Sequence, residues 1–205
     1  LAYLTHDRVP YRGKILAVVT SADTMGDSGK STGYELTELA RAYYTFQANG
    51  FEVDIASPKG GKPPVVIDDE DMGAFDFAFL NDSIAQHKAS HTIPMNQVVV
   101  DDYQAVFFAG GKGAMFDFPD NMAIQDLVRN YYQSNKVIGA VCHGPAALVN
   151  VTLDNGEHIL ANKTVSGFTN KEELLLISDA KIIFPFLLQD KLVEQGASFN
   201  EGVMY

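Results

Sequence analysis

Val137-Ile138-Gly139-Ala140-Val141-Cys142-His143-Gly144-Pro145-Ala146-Ala147-Leu148 is the stretch that decides the fold. Its small and β-branched apolar residues predict a buried parallel strand. The strand ends at Cys142, a sharp turn follows, and Pro145 suits the first position of a helix. Strand, reactive side chain, tight turn and helix make up a nucleophile elbow, described most often for serine in G-x-S-x-G. Here Cys142 takes the central place, and Ala140 and Gly144 are the small residues that a crowded turn requires. A thiol at a helix N-terminus is expected to favour thiolate. The plain alternative is a buried structural cysteine.

The 205 residues are 46% hydrophobic, enough for one α/β domain with a full core. A net charge of -11 argues against nucleic-acid binding through a basic surface. The single cysteine excludes an intrachain disulfide and suits a reducing compartment, so a cytoplasmic location is expected. The chain begins with Leu1 rather than Met, which leaves export open. No apolar run is long enough to span a membrane.

Outward from the elbow, strand and helix alternate. Residues 1–13 read as an extended arm. Lys14 to Thr20 reads as a central strand, apolar on both faces. Leu36, Leu39, Ala40, Tyr43 and Tyr44 carry a helical repeat that Asn49-Gly50 ends. Phe51 to Ser57 alternates and reads as a strand nearer an edge. Residues 58–98 are poorly patterned and read as an insertion, a lid or a dimer contact. It holds the acidic run Asp68-Asp69-Glu70-Asp71 and the aromatics Phe75, Phe77 and Phe79. Ala105 to Ala109 is a strand, and Asn121 to Ser134 a helix. Strands are expected at His158–Ala161 and Lys163–Val165, and short helices at Glu172–Ile177 and Pro185–Gln195. This order predicts a parallel sheet covered on both faces, with sites at the carboxyl ends of the strands.

The residues with chemistry follow strands or lie in the helices those strands lead into. His143 directly follows Cys142 and can take its proton or stabilise its thiolate. Glu172 or Glu173 can orient that imidazole and complete a triad. Both also suit the first turn of a helix capped by Asn170. Glu38 is a proton shuttle if its carboxyl points into a half-dry pocket, and a solvated helix residue if it does not. Gly110-Gly111-Lys112-Gly113 can bring backbone amides to a ligand and form an oxyanion hole with the His143 amide. Gly29-Lys30-Ser31-Thr32 lacks the earlier glycine of a phosphate loop, where Thr24 stands. His87 and His91 have helical spacing but no third ligand in sight, and read as surface histidines.

Four segments together resemble the ThiJ/PfpI superfamily: AVCHGPAAL, FFAGGKGAMFDFPDN, SGFTN and TGYELTELARAYYTFQANGFEVDIAS. They are most similar to its glyoxalase III and heat-shock chaperone branch. The likeness runs from about Lys14 to Gly196. It implies a flavodoxin-like, doubly wound, mostly parallel sheet with helices on both faces, related to class I glutamine amidotransferases. It also implies Cys142 as nucleophile, His143 beside it, Glu38 touching the thiol, and Glu173 as triad acid with Glu172 the fallback. Gly111 and His143 would supply the oxyanion amides, with Gly110 and Lys112 beside the substrate. The activity so implied is conversion of methylglyoxal or a related α-oxoaldehyde to a 2-hydroxy acid without cofactor or metal. Holdase chaperone, peptidase and deglycase activities are associated with the same branch, and redox sensing through the thiol is a further alternative. A homodimer is implied as well. Two departures stand out: Lys112 replaces a frequent histidine, and relatives continue past the position of Tyr205 through another strand and helix. Core left exposed at that end is therefore expected. A glutaminase triad is not expected, since no histidine follows His158.

Overall fold

The computed structural model describes residues 9–202. In chain order its strands are β1 (Lys14–Val18), β2 (Tyr34–Glu35), β3 (Glu52–Ser57), β4 (Val65–Val66), β5 (Ile93–Pro94), β6 (Tyr103–Phe108), β7 (Val137–Ala140), β8 (Thr164–Val165) and β9 (Ser198–Phe199). The helices are α1 (Leu36–Ala48), α2 (Ala74–Asn81), α3 (Ser83–Ser90), α4 (Ala114–Asp117), α5 (Met122–Gln133), α6 (Asn170–Leu176), α7 (Ala180–Ile183) and α8 (Leu188–Glu194). Most of the arm expected over residues 1–13 lies outside the described residues.

Five strands form the main sheet in the order β5-β3-β1-β6-β7, and every pairing is parallel. The chain leaves β1 toward β3 on one side and later returns to place β6 on the other. The strand order therefore reverses between β1 and β6, which opens a crevice at their carboxyl ends. Alternation along β1 feeds two cores. Leu16 and Val18 join Val106, Phe108, Ile124 and Leu127 on one face. Ala17 and Val19 join Leu36, Leu39, Tyr43, Ile55 and Phe79 on the other. Both faces of the sheet are thus covered by helices, the doubly wound arrangement that the alternating pattern predicts. No helix among the described residues is long and apolar enough to cross a membrane.

Three expectations need correction. The segment 58–98 is not irregular: it holds α2 and α3, which pack on α1 and β3. Asp82 caps α3 by accepting from the Ile84 and Ala85 amides at 2.9 and 3.2 Å. His158–Ala161 is not a strand. His158 makes one isolated bridge to Thr152, and its ring ties down a turn through the Leu160 amide at 3.1 Å and the Val149 carbonyl at 3.1 Å. The elbow leads into a short 3-10 turn, Gly144–Leu148, rather than a regular helix. At the sheet's end, β7 is an edge strand and Val137 is 66% exposed beside an apolar groove that Phe46, Phe107 and Gly139 also line.

The phosphate-loop look-alike folds back on itself. The Met25 amide donates to the Lys30 carbonyl at 2.9 Å and the Thr32 amide to the Asp23 carbonyl at 2.8 Å, so these donors are spent inside the loop. His87 and His91 are exposed and stacked, with ring centroids 4.3 Å apart. Among the described residues no cluster of three or more His, Cys, Asp or Glu side chains is placed to hold a metal ion.

Candidate active site

Cys142 has φ +55°, in the left-handed region that L-residues other than Gly, Asn and Asp seldom enter. That conformation costs about 1–2 kcal/mol, and the surroundings hold it. The Val141 amide donates to Phe108 O at 3.2 Å, the Gly144 amide to Val141 O at 2.7 Å, and the Phe168 amide to Cys142 O at 3.1 Å. A side chain at Gly144 would run into the Phe108 carbonyl, which explains the small residue required there. The turn lifts the thiol off the end of β7 toward the crevice between β1 and β6.

Three side chains converge on the sulfur's surroundings. His143 is buried, and its Nδ1 lies 3.2 Å from Cys142 Sγ. Its Nε2 lies 2.5 Å from Glu173 Oε2, with Glu173 only 2% exposed. Phe168 stacks on the imidazole at 4.6 Å between centroids. With Nε2 carrying the proton toward Glu173, Nδ1 is left as an acceptor for the thiol. The choice between the neighbouring glutamates turns on which residue caps α6. It is Thr169, one residue before the expected Asn170. Glu172 then folds back to receive the Thr169 amide at 2.9 Å and hydroxyl at 2.7 Å, a capping box. Glu173, one position on, faces the histidine.

Glu38 comes from the first turn of α1. Its Oε2 accepts the Gly110 amide at 2.5 Å. A Cβ on Gly110 would sit 2.7 Å from both Glu38 Oε2 and Cys142 Cβ, so only glycine lets the two approach. Burial pushes the Glu38 carboxyl up to about 7, against the opposing pull of the Gly110 amide and the Cys142 thiol. The expected thiolate preference of Cys142 does not hold. Burial pushes the thiol well up, and the Glu38 carboxylate pushes it further. The amides of Gly111 and His143 point at the sulfur and oppose that rise, as an anion-binding pair would. A single short turn supplies too little dipole to overcome desolvation and a neighbouring carboxylate.

Gly111 has φ +92°, and a Cβ there would run into the Gly33 carbonyl and lie 2.7 Å from Tyr34 Cα. Gly111→Ala is therefore expected to cost about 2 kcal/mol of stability. A thermal melt checks this, and an unchanged midpoint would contradict the packing described.

Asp117 is a further residue of the site's framework that the sequence does not single out. Its carboxylate accepts Thr20 Oγ1 at 2.8 Å and the Ser21 amide at 2.6 Å, and burial pushes it up to about 6. It thereby ties the loop after β1 to α4, the helix that follows the loop of Gly110 and Gly111. A lone acid between Phe116 and Phe118 was the available signal. A cleft of about 600 Å³ is lined by Lys30, Thr32, Glu35, Lys112, Leu176 and Asp179 among others. Glu35 lies three residues before Glu38, and Lys112 follows Gly111, so two of the lining residues are chain neighbours of the site.

The DJ-1/PfpI family model matches residues 30–174. The chain is 32% identical over 175 residues to the glutathione-independent glyoxalase HSP31 of Saccharomyces cerevisiae, an alignment spanning 81% of this chain and 72% of that one. Among solved structures it is similar to the 24 kDa rapid encystment protein of Francisella tularensis, with TM-score 0.86 and 38% identity over 93% of this chain and 84% of that chain. It is also similar to glyoxalase III of Candida albicans, with TM-score 0.78 and 25% identity over 93% and 83% of the two chains.

Proposed function

The chain belongs to the DJ-1/PfpI family, and we propose that it is a glutathione-independent glyoxalase that converts methylglyoxal or a related α-oxoaldehyde to a 2-hydroxy acid. The observation that carries this reading is the convergence of the Cys142 thiol, the His143 imidazole and a Glu38 carboxyl poised near 7. A carboxyl that titrates near neutrality can both take and return a proton, which an isomerisation between adjacent carbons requires.

The proposed steps use this arrangement as follows. The Cys142 sulfur adds to the aldehyde carbon as His143 Nδ1 takes the thiol proton. The aldehyde oxygen collects a proton in turn, giving a hemithioacetal. Gly111 and His143 amides steady the oxygen while it is anionic. Glu38 removes the hydrogen on the former aldehyde carbon, forming an enediol, and returns a proton to the neighbouring carbon. The product is a thioester of the 2-hydroxy acid. His143, held by Glu173, then draws a proton from water, which cleaves the thioester and frees the thiol. The aldehyde carbon is oxidised and the ketone carbon reduced, so one water is consumed and no external oxidant enters.

The test is methylglyoxal consumption with lactate detection, without glutathione or added metal. Stoichiometric lactate is the expected result, and an inert wild-type protein would overturn the reading. A second reading rests on α2, where Phe75 and Phe77 are 60% and 56% exposed. Such a surface suits a holdase that binds unfolded clients, or the contact of a homodimer.

A further inference from the structure

We propose that the substrates include α-oxoaldehydes with an extended, neutral, hydroxylated tail, of the kind that sugar breakdown releases, and that the cleft lined by Glu35 and Lys112 holds that tail. The proposal rests on the glyoxalase reading and extends it. The first support is size. A three-carbon oxoaldehyde is used up at the sulfur and its amides, whereas the cleft that Glu35, Lys112 and their neighbours line has a volume of about 600 Å³. That volume lies in the range of sites for ligands much larger than methylglyoxal.

The second support is the lining. Lys30 and Lys112 offer donors, Glu35, Asp68 and Asp179 offer acceptors, and Thr32 offers both. A hydroxyl is the group that needs donor and acceptor side by side. The two signs of charge are interleaved, which suits a neutral polyol better than an anionic or cationic tail. Leu176 adds an apolar wall for the C–H faces of such a chain.

The third support is hydrogen-bonding capacity. Glu35 is half-buried, and burial raises its pKa while Lys112 opposes that rise. Neither Glu35 nor Lys112 makes a side-chain hydrogen bond or close ion pair among the described residues, so both keep their capacity for a ligand. Also in the lining, Lys30 Nζ meets both Asp179 oxygens at 3.0 Å, which joins the loop after β1 to the residue that precedes α7. An aldehyde on Cys142 would send its tail over Glu35 and Lys112 toward that pair. The reaction stays balanced as before: the aldehyde carbon is oxidised, the adjacent ketone is reduced, one water is consumed, and the hydroxylated tail is unchanged.

The experiment compares 3-deoxyglucosone with methylglyoxal as substrates of the wild-type protein and of Lys30→Met. The expected result is a KM for the six-carbon compound about tenfold below that for methylglyoxal. In Lys30→Met the preference for the longer substrate, taken as a ratio of kcat/KM values, should fall about tenfold. Turnover of methylglyoxal with no turnover of 3-deoxyglucosone would overturn the extension and leave the glyoxalase reading standing. So would a preference that Lys30→Met does not change. Failure of both substrates would overturn both.

Discussion

Cys142→Ala is expected to lower lactate formation from methylglyoxal by at least about 10³-fold, because the proposed route passes through a bond to sulfur that alanine cannot form. The variant is well suited to the question. Alanine keeps the Cβ, so the left-handed turn at φ +55° meets the same steric demands as before. The backbone bonds that hold the elbow, Phe168 to Cys142 O among them, involve no side-chain atom of residue 142. A thermal melt should move little, and lost turnover would then report chemistry rather than unfolding. Suppression of client aggregation, if α2 provides it, should survive the same change, since Phe75 and Phe77 lie on another element. Lactate production by Cys142→Ala would sink the covalent route. It would also move attention to the exposed α2 surface.

The frame around this site is legible where the sequence carries a long, consistent period. β1, α1, β6 and α5 are of that kind, and each lies where the pattern places it; β7 forms as a parallel strand, but at the sheet's edge and partly exposed, not buried as its apolar run predicts. The elbow is legible for a local reason: Ala140, Gly144 and Pro145 leave few other conformations to the chain around Cys142. The helices of the 58–98 segment are hidden because α2 alternates, with Phe75, Phe77 and Phe79 two apart. That spacing mimics a strand, and only Phe79 is buried. Helix formation there depends on the Asp76 carboxylate, which receives the Gly73 amide at 2.9 Å and pairs with Arg41 of α1. The choice of Glu173 over Glu172 depends on a one-residue shift in the cap of α6, below the resolution of propensity. The thiol's acidity is not legible locally, because local sequence displays the turn's amides but not the Glu38 carboxylate, which the fold brings from the helix after β1. Electrostatics at a site is a tertiary property, and here it reverses the local expectation.

Glu38→Gln is expected to lose activity and gain stability at once. The loss should be about 10²–10⁴-fold, the usual worth of a positioned general base. Glutamine can still accept the Gly110 amide, so the loop should keep its place, but it cannot carry a proton from one carbon to the next. The stability gain follows from linkage. Burial raises the Glu38 pKa from 4.5 to about 7 in the fold. The native state therefore holds a proton that the unfolded chain has already released, and wild type loses stability as pH rises through that window. The deficit is absent below the unfolded value and complete above about 7, where its upper bound is about 3 kcal/mol. Glutamine titrates in neither state. The midpoint of Glu38→Gln should thus match wild type near pH 4 and exceed it at pH 8. Removing the carboxylate also removes its upward push on Cys142, so the thiol should react faster with iodoacetamide at pH 8 even as turnover falls. That combination separates a base from a residue that merely prepares the thiol: the latter would lose thiol reactivity together with turnover. Retained turnover, or a midpoint at pH 8 no higher than wild type, would remove Glu38 from the proposed proton transfer.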